Sequence, residues 1–332
     1  MNFKKSLKIK KIIDKSKKVL LVLHVSPDPD SIASNLLMSK YLDSKSIEWD
    51  LVCIDEVPKR FKDTYKLNGL KDKIDPSSFD FLKYDLFIAL DVNQKLRFGL
   101  SDGVKLPQVV NIDHHYTENN FDCIKINDNS FSSTAEMMFY ILEDFGYKLT
   151  VVDANLVLLG ILTDTEAFSY GASPRVFKTV SSLLEQGANY DEVDAIIYRN
   201  NTVAQIMYWA ESLKNIKVDR KYKFAYTAMD RKTVDNYPKV LQGTRTVADK
   251  FIRTIEGTNF GMVMTEAKEG YLKISVRSRS SNFGVSELLK RLNGGGHFTG
   301  GGGKIDKPYK KAVEEALKIA RKFSKEFPNG SK

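Results

Sequence analysis

Cysteine is nearly missing from this chain, with only Cys53 and Cys123 in 332 residues. The two stand alone, without CxxC or Cys/His finger spacing, so a disulfide framework and a structural zinc site are both excluded, and each reads as a buried or inert thiol. Long apolar runs are missing too. No stretch approaches the roughly 20 residues needed to cross a bilayer, and lysines interrupt the opening MNFKKSLKIKKIIDKSKKVLLVL too often for a secretory signal core. The expectation is a globular protein with a cytoplasmic address. Internal repeats are absent, as is low complexity apart from one glycine cluster. That cluster lacks GxxxxGK[ST] and follows no strand of a βαβ unit, so neither the phosphate-loop nor the dinucleotide-binding reading holds.

What is present is enough for two domains of ordinary size, with 42% hydrophobic residues. A formal charge of +9 and a pI near 9.2 suit a protein that handles polyanions, although a lysine-rich surface arises from composition alone as well. The densest basic stretch, Lys4 to Lys18, is an amphipathic helix with a solvated face, or else a phosphate-backbone or lipid contact.

From 19 to about 190, short aliphatic strands alternate with helices, the pattern of an α/β domain whose parallel sheet is flanked by helices. VLLVLH (19–24), DLFIALD (85–91) and QVVNID (108–113) are the buried strands; STAEMMFYILEDFG, ANLVLLGILTD and RVFKTVSSLLEQG are helical by apolar spacing. Residues 191–220 read as a helical linker. Beyond them, 221–328 read as a smaller α+β domain with a strand, a helix, a hairpin, a second helix, the glycine cluster and a last helix. The boundaries are therefore 1–190, 191–220 and 221–328.

Three of the strands end in acids or histidines: His24 with Asp28 and Asp30, then Asp91, then Asp113, His114 and His115. Ligands bind beyond the carboxyl ends of strands in open α/β sheets, so these groups should converge. A fourth acid, Asp164, closes the helix LVLLGILTD. Singly, each has an ordinary explanation as an N-cap, an Asx turn or a polar loop. Together, four or five carboxylates and two or three imidazoles in one pocket repel one another unless cations neutralise them. Oxygen and imidazole ligands without thiolate suit Mn²⁺ or Mg²⁺ and admit Fe, Co or Zn; the count suits two ions sharing a carboxylate.

HVSPDPD, the ALD strand followed by RFG, NIDHH, SSTAEMM, GILTDTEAFSY, and RSRS with GGGH occur in that order over nearly the whole chain. In order and spacing they resemble the DHH phosphoesterases with a C-terminal DHHA1 domain, within them the NrnA-like branch of nano-RNases and adenosine bisphosphate phosphatases. The resemblance implies that His24, Asp28 and Asp91 hold one Mn²⁺, or Mg²⁺ or another divalent ion, and Asp30, Asp91, His114 and Asp164 a second. His115 would contact the scissile phosphate or assist the leaving oxygen, with Asp113 orienting the neighbouring imidazoles. Arg277, Ser278, Gly295, Gly296 and His297 would grip the nucleotide. The implied substrates are short single-stranded RNA, dinucleotides and 3'-phosphoadenosine 5'-phosphate, and a homodimer is allowed. A RecJ-like exonuclease, a dinucleotide phosphodiesterase, a class II pyrophosphatase and, outside enzymes, an RNA-binding module are the rivals. Three positions depart from the resemblance: Pro29, Ala33 and Glu166 stand where small residues or glycine are usual. Pro29 should force Asp28 into an extended conformation, and Glu166 bears on substrate preference.

Overall fold

Five strands of the computed structural model lie parallel, the central three mostly aliphatic and the two edge strands mixed: β1 (Lys18–Leu23), β2 (Glu48–Cys53), β3 (Leu86–Leu90), β4 (Gln108–Asp113) and β5 (Ile124–Asn127), in the order 2-1-3-4-5. The structure describes residues 5–331 apart from 58, 68, 93, 101–102, 116–121 and 238–242, and excludes the side chains of 60, 96, 245 and 297. Among the described residues no helix is long and apolar enough to cross a membrane.

A sheet covered on both faces needs apolar side chains on both, and β1 shows how one strand serves two cores. Val19, Leu21 and Leu23 enter a cluster with helix residues such as Ile32, Met138 and Leu158, while Leu20 and Val22 point the other way to Phe87 and Phe98. Helices α1 (Ser6–Ile13), α2 (Pro29–Ser44), α3 (Lys59–Tyr65), α4 (Thr134–Asp144), α5 (Val151–Asp164), α6 (Pro174–Glu185) and α7 (Tyr190–Tyr198) complete this unit, which runs from Met1 to Asn200.

Helix starts follow side-chain caps. Asp28 is the N-cap of α2, its Oδ1 accepting from the Ser31 N–H at 3.1 Å, with Pro29 at the first helical position. Its φ of −104° and ψ of 173° are the extended values that a residue before proline is driven toward. Ser133 caps α4, and Thr150 with Asp153 forms a capping box on α5.

The second unit, Asn201–Lys332, is built on a mixed sheet. Its strands are β6 (Lys217–Asp219), β7 (Phe224–Met229), β8 (Phe260–Lys268), β9 (Tyr271–Ser278), β10 (Gly295–His297) and β11 (Gly300–Asp306), ordered 10-11-9-8-7-6. Only β7 and β8 pair in parallel. Its helices are α8 (Val203–Lys214), α9 (Arg231–Asp235), α10 (Gly243–Lys250), α11 (Ser286–Arg291) and α12 (Tyr309–Glu326). The last lays Ala312, Ala316, Ala320 and Phe323, a stripe of i, i+4 and i, i+3 spacing, into the core beside Phe260.

The expected helical linker, 191–220, does not stand apart from the two units, because α7 buries Val193 in the first unit's core whereas α8 buries Tyr208 in the second unit; the division falls at Asn200 and Asn201. The glycine cluster, given no secondary structure by the sequence, belongs to the second sheet. It forms the antiparallel pair β10 and β11, and β11 pairs in turn with β9. A Cβ at Gly301 would collide with the Gly295 carbonyl and Leu289, and one at Gly300 with the Arg277 side chain, so these glycines permit close packing of strands and helix.

Gly160 in α5 has the same role beside the site, since a Cβ there would overlap Asp30 Oδ1 and the Ala135 Cβ. Gly160→Ala should destabilise the protein by about 1–3 kcal/mol through overpacking, despite alanine's better helix propensity. Chemical denaturation checks this; a stability equal to or above wild type would mean that α5 can shift away without cost.

Candidate metal centre

The order 2-1-3-4-5 reverses direction between β1 and β3, and the first unit's crowd of acids sits at the carboxyl ends of these strands and of β4. His24 follows β1 and is 1% exposed. Its Nδ1 donates to the Val25 carbonyl at 2.8 Å, which turns Nε2 toward Asp28 Oδ1 at 3.6 Å and Asp91 Oδ2 at 3.7 Å.

Asp91 is the centre of the arrangement. Its Oδ2 faces His24, while its Oδ1 lies 3.6 Å from His114 Nε2 and 3.6 Å from His115 Nδ1. His114 Nε2 is also 3.1 Å from Asp164 Oδ2, at the end of α5. Two sets of ligand atoms, each within 4.8 Å of one another, therefore share Asp91: His24, Asp28 and Asp91 on one side, and Asp30, Asp91, His114 and Asp164 on the other. Asp91, His114 and His115 form a third such group.

The backbone holds Asp91 in the left-handed region, with φ of 62°. Aspartate tolerates that conformation better than most residues. Asn111 on β4 supports the corner: its Nδ2 donates to the Ala89 carbonyl at 3.2 Å and the Val92 carbonyl at 2.6 Å, on either side of Asp91. Thr134 adds a hydroxyl bond to Asp91 Oδ1 at 3.1 Å.

Asp30 is fully buried and, among the described residues, forms no ion pair with a lysine or arginine; His114 is its cationic neighbour. The Asp30 oxygens accept from the first N–H groups of α4, Thr134 at 2.8 Å and Ala135 at 2.9 Å, at the positive end of that helix. The electrostatics have two causes, burial and an excess of carboxylate over positive charge. Burial, then Asp91 and Asp164, push Asp30 well above the usual carboxylate range, and burial raises Asp164. Burial works to lower His24, but Asp28 and Asp91 prevail and bring it to about 10. His114 rises likewise against its burial through Asp164, Asp91 and Asp30. A donor set of carboxylate oxygens and imidazole, with no thiol, fits hard or borderline divalent ions.

His115 differs from its neighbour. Its Nδ1 lies 2.6 Å from Asp113 Oδ1, and Asp113 is completely buried. Burial opposes a charged ring, yet Asp113 and Asp91 raise the His115 pKa above the ordinary histidine value.

The sequence reading assigned no role to Asn111, Thr134 or Arg97, although each lies in a quoted motif. Arg97 Nη2 lies 3.4 and 3.5 Å from the two ring nitrogens of His24. An asparagine inside the aliphatic run QVVNID was the available signal, because a buried amide demands partners. At the departures, Ala33 is buried in the core, and Glu166, Ala167 and Phe168 are three successive left-handed residues directly after Asp164 and Thr165. Such conformations cost energy and concentrate at functional sites.

In the second unit, Arg277 donates from Nε to Asp249 and from Nη1 to the Val276 and Gly301 carbonyls at 2.9 and 3.2 Å; Nη2 has no partner among the described residues. Ser278 is buried, its hydroxyl donating to the Ser280 carbonyl at 2.7 Å, so it is not presented for gripping a ligand. Gly295 and Gly296 lie in β10, and the His297 side chain is outside the described residues.

Residues 18–161 match the DHH family, N-terminal domain, and residues 240–326 match the DHHA1 domain. The chain thus carries a DHH N-terminal domain followed by a DHHA1 domain. It is 27% identical over 312 residues to the "Bifunctional oligoribonuclease and PAP phosphatase NrnA" of Thermus thermophilus, covering 89% of this chain and 88% of that one. It is 24% identical over 327 residues to the "Cyclic-di-AMP phosphodiesterase GdpP" of Geobacillus thermodenitrificans, covering 94% of this chain and 48% of that one. Its fold resembles that of an exopolyphosphatase-related protein from Bacteroides fragilis, with TM-score 0.88, 23% identity and 98% of each chain covered. The expected class, a metal-dependent phosphoesterase, agrees with the family.

The shared carboxylate gives a direct test. Saturating Mn²⁺ should raise the melting temperature, since an ion at a hundred times its Kd adds about 2.7 kcal/mol. Asp91→Asn keeps a residue suited to the left-handed corner but removes the charge, and should abolish most of that shift. An undiminished shift in the variant would remove Asp91 from the ion site.

Proposed function

We propose that the protein is a two-metal phosphoesterase that hydrolyses short oligoribonucleotides and dinucleotides and releases phosphate from 3'-phosphoadenosine 5'-phosphate. The observation that carries this reading is the division of Asp91, one oxygen toward His24 and the other toward His114. His24, Asp28 and Asp91 would hold one ion, and Asp30, Asp91, His114 and Asp164 the other; Mn²⁺ suits the mixed imidazole and carboxylate set best. Two such ions supply Lewis acidity toward phosphoryl oxygens and lower the pKa of bound water.

The chain's own contribution rests on His115. Asp113 fixes the ring through Nδ1 and stabilises its cationic form, so Nε2 can donate to a phosphoryl oxygen and deliver a proton to the departing oxygen. Asp113 acts on the ring rather than on substrate. Asn111 and Thr134 hold the Asp91 carboxylate in place. We assign nucleotide binding to the second unit, with Arg277 Nη2, the β10 backbone at Gly295 and Gly296, and His297 as the recognising groups. The family resemblance supports that assignment, and Ser278 is left with a packing role. Relatives named as an oligoribonuclease and PAP phosphatase support the substrate class, and a cytoplasmic address suits it.

A product time course with Mn²⁺ tests the substrate. Dinucleotides to pentamers and adenosine 3',5'-bisphosphate should turn over much faster than a strand of about 24 nucleotides. Arg277→Ala should erase the preference while hydrolysis of bis-p-nitrophenyl phosphate stays near wild type, because only remote binding energy is lost. Processive degradation of the long strand at equal rate returns the reading to a RecJ-like exonuclease, and preference for a cyclic dinucleotide to a phosphodiesterase of that class.

The two histidines separate by metal content. His114→Ala should lose an ion, whereas His115→Ala should retain both and lose rate by about 10²–10⁴-fold, the usual range for a proton-transfer group. Reversed stoichiometries would exchange their roles.

A further inference from the structure

We infer that Glu136 and Arg175, outside every ligand set, are positioning residues for the ion site formed by Asp30, Asp91, His114 and Asp164; the inference rests on the two-ion reading above. Glu136 is completely buried in the first turn of α4, an expensive place for a carboxylate without partners. Its partners all hold one segment. Oε2 accepts from the Ser132 N–H at 2.8 Å and the Ser132 hydroxyl at 2.9 Å, and Oε1 accepts from Arg175 Nε at 3.1 Å.

Arg175 comes from α6 and reaches the same segment by other atoms. Its Nη1 donates to Ser130 Oγ at 3.2 Å, Nη2 donates to the Ser130 carbonyl, and the guanidinium lies over the Phe131 ring at 3.7 Å from its centroid. The clamp thus fixes residues 130–132 from both ends of one ion pair.

What that segment does explains why it is clamped. The Phe131 carbonyl faces His114 Nδ1 at 3.4 Å, which directs Nε2 to Asp164 and Asp91. Two residues on, the Thr134 and Ala135 N–H groups hold both oxygens of Asp30, and the Thr134 hydroxyl holds Asp91 Oδ1. Three of the four ligands in this set therefore take their orientation from residues 131–135. The partners of His24 at Val25 and Arg97 lie on other segments. Loosening the clamp should weaken one ion and spare the other.

Orientation by an outer partner typically affects metal affinity by ten- to a hundredfold. Calorimetric titration of the full chain with Mn²⁺, with bound ions counted by metal analysis, is the measurement. Arg175→Ala should weaken one of two ions by at least about tenfold, Arg175→Lys should restore part of the loss, and Ser132→Ala should weaken the same ion less. In an Asp164→Asn background, already deficient at this site, Arg175→Ala should leave the remaining ion's affinity unchanged. The Ser132 variant, which retains the buried ion pair, keeps the test open if an Arg175 variant fails to fold. Two results overturn the positioning role: unchanged affinities in Arg175→Ala and Ser132→Ala, or equal weakening of both ions. A wild-type chain that takes up only one ion overturns the two-ion reading itself, and the clamp's role with it.

Discussion

Like charges held at one edge of a sheet dominate this molecule. Asp28, Asp30, Asp91, Asp113 and Asp164 are brought together by three strand ends and two helices, in surroundings where burial strengthens their repulsion. Each is restrained by a different device. Helix N–H groups hold Asp28 and Asp30, a left-handed corner and an amide hold Asp91, and imidazoles face Asp113 and Asp164. The scaffold supplies geometry without supplying enough positive charge. A divalent ion binding such a preorganised cluster gains its attraction at little cost in chain ordering, which is the condition for tight binding at a rigid site.

The parts of the fold that were legible in the sequence were those in which one force acted alone. β1, β3 and β4 are mainly aliphatic because both faces are buried, and each leads abruptly into acids or histidine. The edge strands β2 and β5 were not recognised, since EWDLVC and IKIN mix polar and apolar residues where one side faces water. The packing of the segment 191–220 was hidden because amphipathic helices look alike whether they link domains or belong to them. Only packing distinguishes α7, held by Val193, from α8, held by Tyr208.

The site was legible to a similar depth. Ligand candidates announce themselves by being acids after apolar runs, whereas their supports do not. Nothing in the order of residues says that Asn111 spans two carbonyls or that Asp30 caps a helix a hundred residues away. The strand pairing of the glycine cluster was hidden for a related reason. Composition reveals that side chains are missing, but not whether the vacated space is filled by a ligand or by neighbouring backbone; at Gly300 and Gly301 it is filled by Arg277 and by the paired strand.

The left-handed conformation of Asp91 also constrains what evolution or design can do at this position. Glutamate carries the same charge, but its longer side chain lacks aspartate's local hydrogen bonds that ease such a conformation, and it would place the carboxylate about one carbon bond further out. Glycine suits the backbone and removes the acid; asparagine suits it and removes the charge. The permitted alphabet at residue 91 is thus the intersection of two unrelated requirements, one of torsion and one of electrostatics, and only a single amino acid satisfies both.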